Sequence, residues 1–326
     1  MKSYKNLKYF GSALVLSAIF LSCEDSIDKD NPPVPYAEIG GYSNSDEIAA
    51  SSLVAKLSFE NNLTDTKNNI TGGMPTNVAY VAGVKGNAFN GSSSEMRYAV
   101  ANAASAITNL NNFTLSFWMK SANTVDPATP GQGKGAQGIF SIVRPTEFWG
   151  GINVFLENPD NSKPDRLRLK LGVENGRAGV SWKGQGVIMN IDGQKNNWVH
   201  ITMSYNATTS RVSCYVNGEP ATNLVGFAYA PAAGLQGSAP WYASDPGDIN
   251  NSGGAAQGYG QLQMVGTNGK VVFGSHQFET VPPLNNGSQQ DWATSFAGQL
   301  DEFRIYNTAL SNADVIALYK LEKDNR

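Results

Sequence analysis

The sequence predicts an all-β body, a two-sheet antiparallel sandwich of the jelly-roll kind, and three observations carry that expectation. Charged residues are only 16 % of the 326 residues while 34 are glycine, a composition with turns everywhere and few long surface helices. Short apolar runs, several alternating residue by residue, recur from residue 53 to residue 306 between Gly- and Asn-rich breaks. One helix alone is easy to place, at the C-terminal end. Many short strands without a recurrent long helix read as a sandwich or jelly roll. The length exceeds one ordinary domain, yet sandwiches of this size occur as one, so residues 51–322 are read as a single domain with long loop insertions.

Taken in order, the first strand is L-V-A-K-L-S-F, 53–59. Further strands are expected at 77–81, 95–100, 113–120, 138–143, 152–157, 166–171, 198–205, 211–217, 262–265, 271–274 and 299–306. In 113–120 alternation places Phe113, Leu115, Phe117 and Met119 on one face and Trp118 on the other. Val199, Ile201, Met203 and Tyr205 repeat that pattern. Val212, Cys214 and Val216 fall together, which makes Cys214 a core thiol rather than a nucleophile, and Asn217-Gly218 fits a tight turn closing that strand. Ser311 caps a helix whose apolar face is Val315, Ile316, Leu318 and Tyr319, expected as a lid across one edge of the sandwich. Residues 121–137, 230–260 and 280–295 are long non-periodic loops, the expected carriers of specificity.

The N-terminus has a separate logic. Three lysines without an acid precede the apolar run G-S-A-L-V-L-S-A-I-F-L, and then come Ser22 and Cys23. A short basic segment followed by about ten apolar or small residues is the layout of a secretory signal peptide, assigned to 1–22. The stretch L-S-C-E-D resembles a bacterial lipoprotein processing site, with Phe20 standing where Leu is usual. The resemblance implies that Cys23 becomes an acylated first residue, carrying palmitate-type chains that hold the protein to the cell outer membrane. Residues 23–50 are expected to be a tether, acidic at Glu24, Asp25, Asp28 and Asp30 and then N-P-P-V-P. These acids resemble the export tag of surface lipoproteins in the Bacteroidetes group, which implies surface exposure. The formal net charge of −3 becomes more negative once the leader's lysines are gone, and no long basic run remains, so nucleic acid is excluded as a partner.

Four ordered segments resemble the laminin-G-like or concanavalin-A-like jelly rolls of bacterial surface proteins. They are L-S-F-E-N-N-L-T-D-T at 57–66, N-F-T-L-S-F-W-M-K at 112–120, N-W-V-H-I-T-M-S-Y-N at 197–206 with V-S-C-Y-V-N-G-E at 212–219, and G-Q-L-D-E-F-R-I-Y-N-T-A-L-S at 298–311. The resemblance implies two sheets packed face to face, the concave one often holding ligand, and a structural Ca2+ where the first and last strands meet. Asp301 would be its best side-chain ligand, Glu60 the next and Asp65 a third. Alternation puts Asp301 on the side of Phe303 and Ile305, where a carboxylate needs compensation. A calcium ion would supply it, and so would backbone amides or an arginine.

Catalytic chemistry is poorly supplied. Glycosidic hydrolysis needs two carboxyl groups across the scissile bond, and the one-strand Glu-x-Asp-x-x-Glu spacing of catalytic jelly rolls is absent; Glu147 with Glu157 is the remaining pair. His200 and His276 are the only histidines, outside H-E-x-x-H, and no G-x-S-x-G occurs. Sugar binding would use aromatic rings against pyranose faces with amides and carboxylates at the hydroxyls. Trp149, Trp182, Trp241 with Tyr242, and Trp292 sit in loop-like sequence, as stacking residues or as loop anchors, and Arg144, Glu147, Asn153 and Lys183 are candidate polar contacts. The expected partner is a glycan, a neutral or basic one given the net charge. The expected role is noncatalytic capture of a poly- or oligosaccharide for uptake or degradation, alongside outer-membrane uptake machinery. The alternatives are a structural or adhesive module that binds a protein and a glycosidase with an atypical carboxylate pair.

Overall fold

Alternating strands with one apolar face must bury it against a second such surface, and the computed structural model shows two sheets doing so, each of nine strands among the described residues. It describes residues 37–123, 135–175, 183–226, 237–240 and 260–326. The first sheet runs β13 (Glu219–Pro220), β12 (Arg211–Val216), β11 (Val199–Asn206), β6 (Phe113–Lys120), β18 (Gln299–Tyr306), β4 (Asn87–Asn90) and β3 (Ala79–Ala82). Strand β1 (Leu53–Leu57) also pairs β18, and β15 (Ser238–Pro240) pairs β12. The second sheet runs β14 (Leu224–Gly226), β10 (Lys183–Ile191), β9 (Leu167–Asn175), β8 (Ile152–Leu156), β7 (Ala136–Ile142), β16 (Lys270–Phe273), β5 (Tyr98–Ala103) and β2 (Ile70–Thr76). Strand β17 (Ala293–Ser295) adds to β7 in parallel. A four-residue helix α1 (Ser105–Thr108) links β5 to β6, and α2 (Asn312–Lys323) ends the fold. Among the described residues no helix is long and apolar enough to cross a membrane.

The core lies between the sheets. Phe113, Leu115, Phe117 and Met119 of β6 and Val199, Ile201, Met203 and Tyr205 of β11 are buried there against Leu167, Leu169, Leu171 and Val173 of β9. Phe303 stacks on Phe117 at 5.5 Å and tilts against Phe140 of the other sheet at 5.0 Å, so aromatic contacts cross the interlayer. Each such side chain contributes about 1.5–3 kcal/mol of burial. Cys214 is fully buried in this layer, and burial pushes its thiol up to about 12, which removes it as a nucleophile. Asn217 and Gly218 both have positive φ and turn β12 into β13, as Asn-Gly predicts.

The helix is capped as expected, the Ser311 hydroxyl accepting from the Asp314 amide, but it does not lie across an edge. Its apolar residues Val315, Leu318 and Leu321 pack on Leu53, Tyr215 and Tyr306, which point away from the core of the first sheet, so α2 covers the outer face. Beneath it Arg304, fully buried, donates to Glu322 at 2.7 Å, Asp46 at 2.6 Å, Ser45 at 3.0 Å and Glu302 at 3.1 Å. The Trp118 indole donates to the other Glu322 oxygen at 2.8 Å. Burial pushes Glu322 up, and Arg304 with His200 more than reverses it, to about 2; Asp46 is likewise carried to about 2 by Arg304 and Lys56 against its burial. Asp46 belongs to a segment read as tether. Residues 38–50 fold instead onto the body, with a 3-10 turn at Ser45–Glu47 and Ile48 buried beside the helix. There the Ser45 amide donates to the Arg326 carbonyl at 3.2 Å and the Arg326 guanidinium to the Ser43 carbonyl at 3.0 Å.

Strands β6 and β18 match the sequence expectation residue for residue, and most others shift by one to four residues at an end. Residues 262–265 form no strand: Leu262 is buried, and its backbone exchanges bonds with Asn111 alone. Strands β2, β4 and β10 were not expected, because Gly and Asn interrupt their alternation, and neither were β13, β14, β15 and β17, which are only two or three residues long.

Candidate functional site

With one sheet covered by α2, the outer face of the second sheet is where side chains not used by either core collect. Alternation puts Asn153 and Phe155 of β8 there, and Arg168, Lys170, Gly172 and Glu174 of β9, since Ile152, Val154, Leu169 and Leu171 face the core. Phe155 carries an aromatic cluster. Trp149 stacks on it at 5.4 Å and 13°, Phe148 stacks on Phe278 at 4.4 Å and 16°, and Trp292 lies 6.1 Å from Trp149. His276 stacks on Phe278 at 4.8 Å, and Lys170 sits 4.9 Å over the Phe155 ring while pairing with Glu157 at 2.5 Å. Phe278 and Phe155 are buried; Trp149 and Trp292 are half-buried and Phe148 is 36 % exposed. The upper three rings thus form a ledge on a packed aromatic base.

Two connections build the ledge. The segment 143–151, which carries Arg144, Glu147, Phe148 and Trp149, is held by amides: the Gln277 side chain accepts from the Arg144 amide and donates to the carbonyls of Glu147 and Phe148, at 2.8, 2.8 and 3.0 Å. Asn285 donates to the Glu147 carbonyl at 3.0 Å. The other connection, 274–292, crosses β7 at Gly138, where a Cβ would lie 2.1 Å from the His276 amide nitrogen, so only glycine allows the crossing. Burial drives His276 down to about 3, which keeps it neutral inside the cluster.

Five of the residues singled out by sequence therefore converge: Trp149, Trp292, Arg144, Glu147 and Asn153. Asn153 is a positioning residue, its amide spent on Gly150 and Ser141 at 2.8–3.3 Å. Trp182, Trp241, Tyr242 and Cys23 lie outside the described residues, as does the Lys183 side chain. Glu157 is bound to Lys170, so the Glu147–Glu157 pair has one member already engaged. Gln277 and Asn285 were missed because a loop amide carries no periodic signal. Glu174 was missed because the strand was ended at Leu171; carrying the alternation of R-L-K-L-G-V-E onward places it beside Arg168 and Lys170. It is buried, which pushes its carboxyl up to about 8, Arg144 drawing it down and Glu147 opposing that. Its Oε2 and the Arg144 Nη1 have no hydrogen-bond partner, and a buried group in that state costs about 1–3 kcal/mol.

The corner assigned to calcium is built differently from the expectation. A bulge at Glu302, φ +46°, sets Asp301 opposite Trp118 and leaves Leu300, Phe303 and Ile305 as the core row, so Asp301 does not share the side of Phe303. Its carboxylate accepts from the amides of Val84 at 2.7 Å, Lys85 at 3.0 Å and Glu302 at 2.8 Å, while burial raises it to about 7. Glu60 accepts from the Asn87 amide at 2.9 Å, on the far side of the same turn. Asp65 accepts four amides, from Lys56, Lys67, Asn69 and Ile70. Backbone amides thus already compensate the Asp301 and Asp65 carboxylates, and among the described residues no group of three or more His, Cys, Asp or Glu is placed to hold a metal. Whether an ion joins this corner is decided by melting the protein with and without a chelator. With amides compensating Asp301 the expected change is below about 2 °C, less than 1 kcal/mol of stability in a domain this size. A larger loss, restored by calcium, would establish the ion.

Comparison with known proteins bears on the fold. No curated protein matches the chain. Among solved structures, the binding domain of Paraclostridial Mosquitocidal Protein 1 superposes with a TM-score of 0.52 at 19 % identity, over 82 % of this chain and 52 % of that one. The botulinum neurotoxin serotype G binding domain gives 0.50 at 14 % identity, over 82 % and 51 %. The chain therefore spans about half the length of these structures, and at such identities the likeness is one of fold. A family model described as the concanavalin A-like lectin/glucanases superfamily matches residues 92–259, more than half of the chain and much of both sheets. With the two-sheet sandwich and its order of strands already in place, that match identifies the chain as a member of the concanavalin A-like lectin/glucanases superfamily.

Proposed function

We propose that this chain is a noncatalytic carbohydrate-binding module that holds a poly- or oligosaccharide against the outer face of its second sheet. The ledge of Phe148, Trp149 and Trp292 carries this reading: three partly exposed rings on a packed base, beside Arg144 and Glu147, offer ring faces and hydrogen-bonding groups together. The family supports it in kind, since its description joins lectins with glucanases. A binding role is favoured over hydrolysis because Glu157 is tied to Lys170 and Glu147 sits by Arg144, which leaves no free carboxylate pair among the residues singled out for catalysis. An array of neutral, basic and acidic glycans, followed by product analysis on those bound, tests the reading: binding without cleavage is expected. Release of sugar would make the chain a glycosidase, and absence of any binding would favour the adhesive alternative.

The setting we propose is the cell outer membrane, with the chain anchored through acylated Cys23, facing outward and passing its glycan to uptake or degradation machinery. The support is the leader and the L-S-C-E-D stretch. A fatty-acid analogue should label the protein in cells, and Cys23→Ala should abolish the label and release the protein from the membrane fraction. Retention of both in the variant would refute the anchor.

A further inference from the structure

We propose that Arg144 and Glu174 form a polar subsite beside the ledge that reads two adjacent hydroxyls of a neutral sugar, an inference that rests on the carbohydrate-binding reading above. The Glu174 amide donates to the Gly151 carbonyl at 3.0 Å, and the Gly151 amide donates to Ile142 at 2.8 Å. Glu174 is thereby fixed beside the segment that carries Arg144 and Trp149. Between Glu174 and the Lys170–Phe155 pair the same face holds Gly172, registered against Gly186 on β10, so neither position puts a side chain between subsite and ledge.

Arg144 is 4 % exposed; its Nε donates to the Val265 carbonyl at 2.7 Å, its Nη2 lies 3.8 Å from Glu147, and its Nη1 is unpaired. Glu174 is 6 % exposed with Oε2 unpaired. Buried polar groups in folded proteins are nearly always satisfied, so an unpaired donor and an unpaired acceptor beside the segment that carries Trp149 call for a partner outside the protein's own bonding. With Arg144 near enough to draw the Glu174 carboxyl down, the unpaired donor and the unpaired acceptor match a vicinal diol: one hydroxyl oxygen accepts from Nη1 while the other hydroxyl donates to Oε2. A uronate or sialate carboxylate would satisfy Arg144 but face the Glu147 carboxylate, and an amino sugar's ammonium would face Arg144. The local charge therefore selects a neutral ring. Burial of Glu174, with its carboxyl near 8, fits the same choice, since the acid form adds no charge at neutral pH.

The test uses the full chain and the neutral oligosaccharide that binds best on the array, with its uronate counterpart and deoxy analogues. Glu174→Leu should lower affinity about tenfold or more while raising the melting temperature, because it removes an unpaired buried carboxyl. The melting gain should be larger at pH 9 than at pH 4, since stability tied to the protonated acid is lost as pH rises from 4.5 through about 8. Glu174→Gln, which keeps an acceptor oxygen, should lose less affinity. One deoxy analogue should bind weakly to the wild type and show no further loss on Glu174→Leu. Unchanged affinity in Glu174→Leu with loss in Trp149→Ala would overturn the subsite and leave the ledge standing, as would preference for the uronate. Failure of every glycan to bind would remove both.

Discussion

Arg304→Met should lower the melting temperature by roughly 6–20 °C, the equivalent of about 3–5 kcal/mol for breaking a buried ion network in a domain of this size. Arg304 is fully buried and is the shared cation for Glu322, Glu302 and Asp46, of which the first two are buried as well. Without it, Glu322 keeps the Trp118 indole and His200 but faces no permanent positive charge. Glu322 and Asp46, ordinarily 4.5 and 3.8, are both held at about 2, so the stability they contribute is present above those ordinary values and lost as pH falls toward 2. The wild-type melting curve should therefore drop steeply between about pH 4.5 and 2, and in Arg304→Met the acid limb should be shallower. His276 adds to the wild-type slope from higher pH, since a neutral buried imidazole at about 3 loses stability as pH falls from 6.5. Thermal melts across pH 2–7 on both proteins decide it; a variant within 2 °C of wild type would show that α2 is held by its apolar contacts alone.

Trp149→Ala should weaken glycan binding by about 10- to 30-fold, as expected where truncating a central aromatic anchor costs up to about 2 kcal/mol. Trp149 is the ring that joins the others: it touches Phe148, Phe155, His276, Phe278 and Trp292 within 6.1 Å. Its removal takes away a stacking surface and loosens the support of Phe148. Trp149→Phe should restore most of the affinity, and Trp292→Ala should cost less, because Trp292 meets its ring neighbours only in tilted or edge contacts at 5.6–6.3 Å. Calorimetry with the array's best ligand separates these outcomes. Equal affinity in wild type and Trp149→Ala would move the binding face elsewhere.

The core was legible because β6 and β11 alternate without interruption, and a period of two survives any detail of the loops. The end of the chain was legible because G-Q-L-D-E-F-R-I-Y-N-T-A-L-S carries both the strand Gln299–Tyr306 and the helix cap Ser311. Asp301 shows where the rule fails: one residue of bulge at Glu302 reverses the side of everything before it, and no propensity in the run announces the bulge. Strand β10 was hidden by Gly184, Gly186 and Asn190, residues that depress strand propensity. Of the ledge, sequence supplied the tryptophans but not their meeting, because Trp149 and Trp292 are brought together by Gln277, Asn285 and the absent Cβ of Gly138. Those are contacts between loops more than a hundred residues apart, and a single chain of letters holds no register for them.

The pairing of residues 43–45 with Arg326 has a practical meaning for how this protein can be handled. Entry to and exit from the folded body stand side by side on the helix-covered back, opposite the aromatic ledge. A linker, an affinity tag or a solid support joined beside Ser43 or Arg326 would hold the sandwich from behind, leaving the proposed ledge turned toward the solution. Immobilised there, the molecule would present the face on which we propose that the glycan is held.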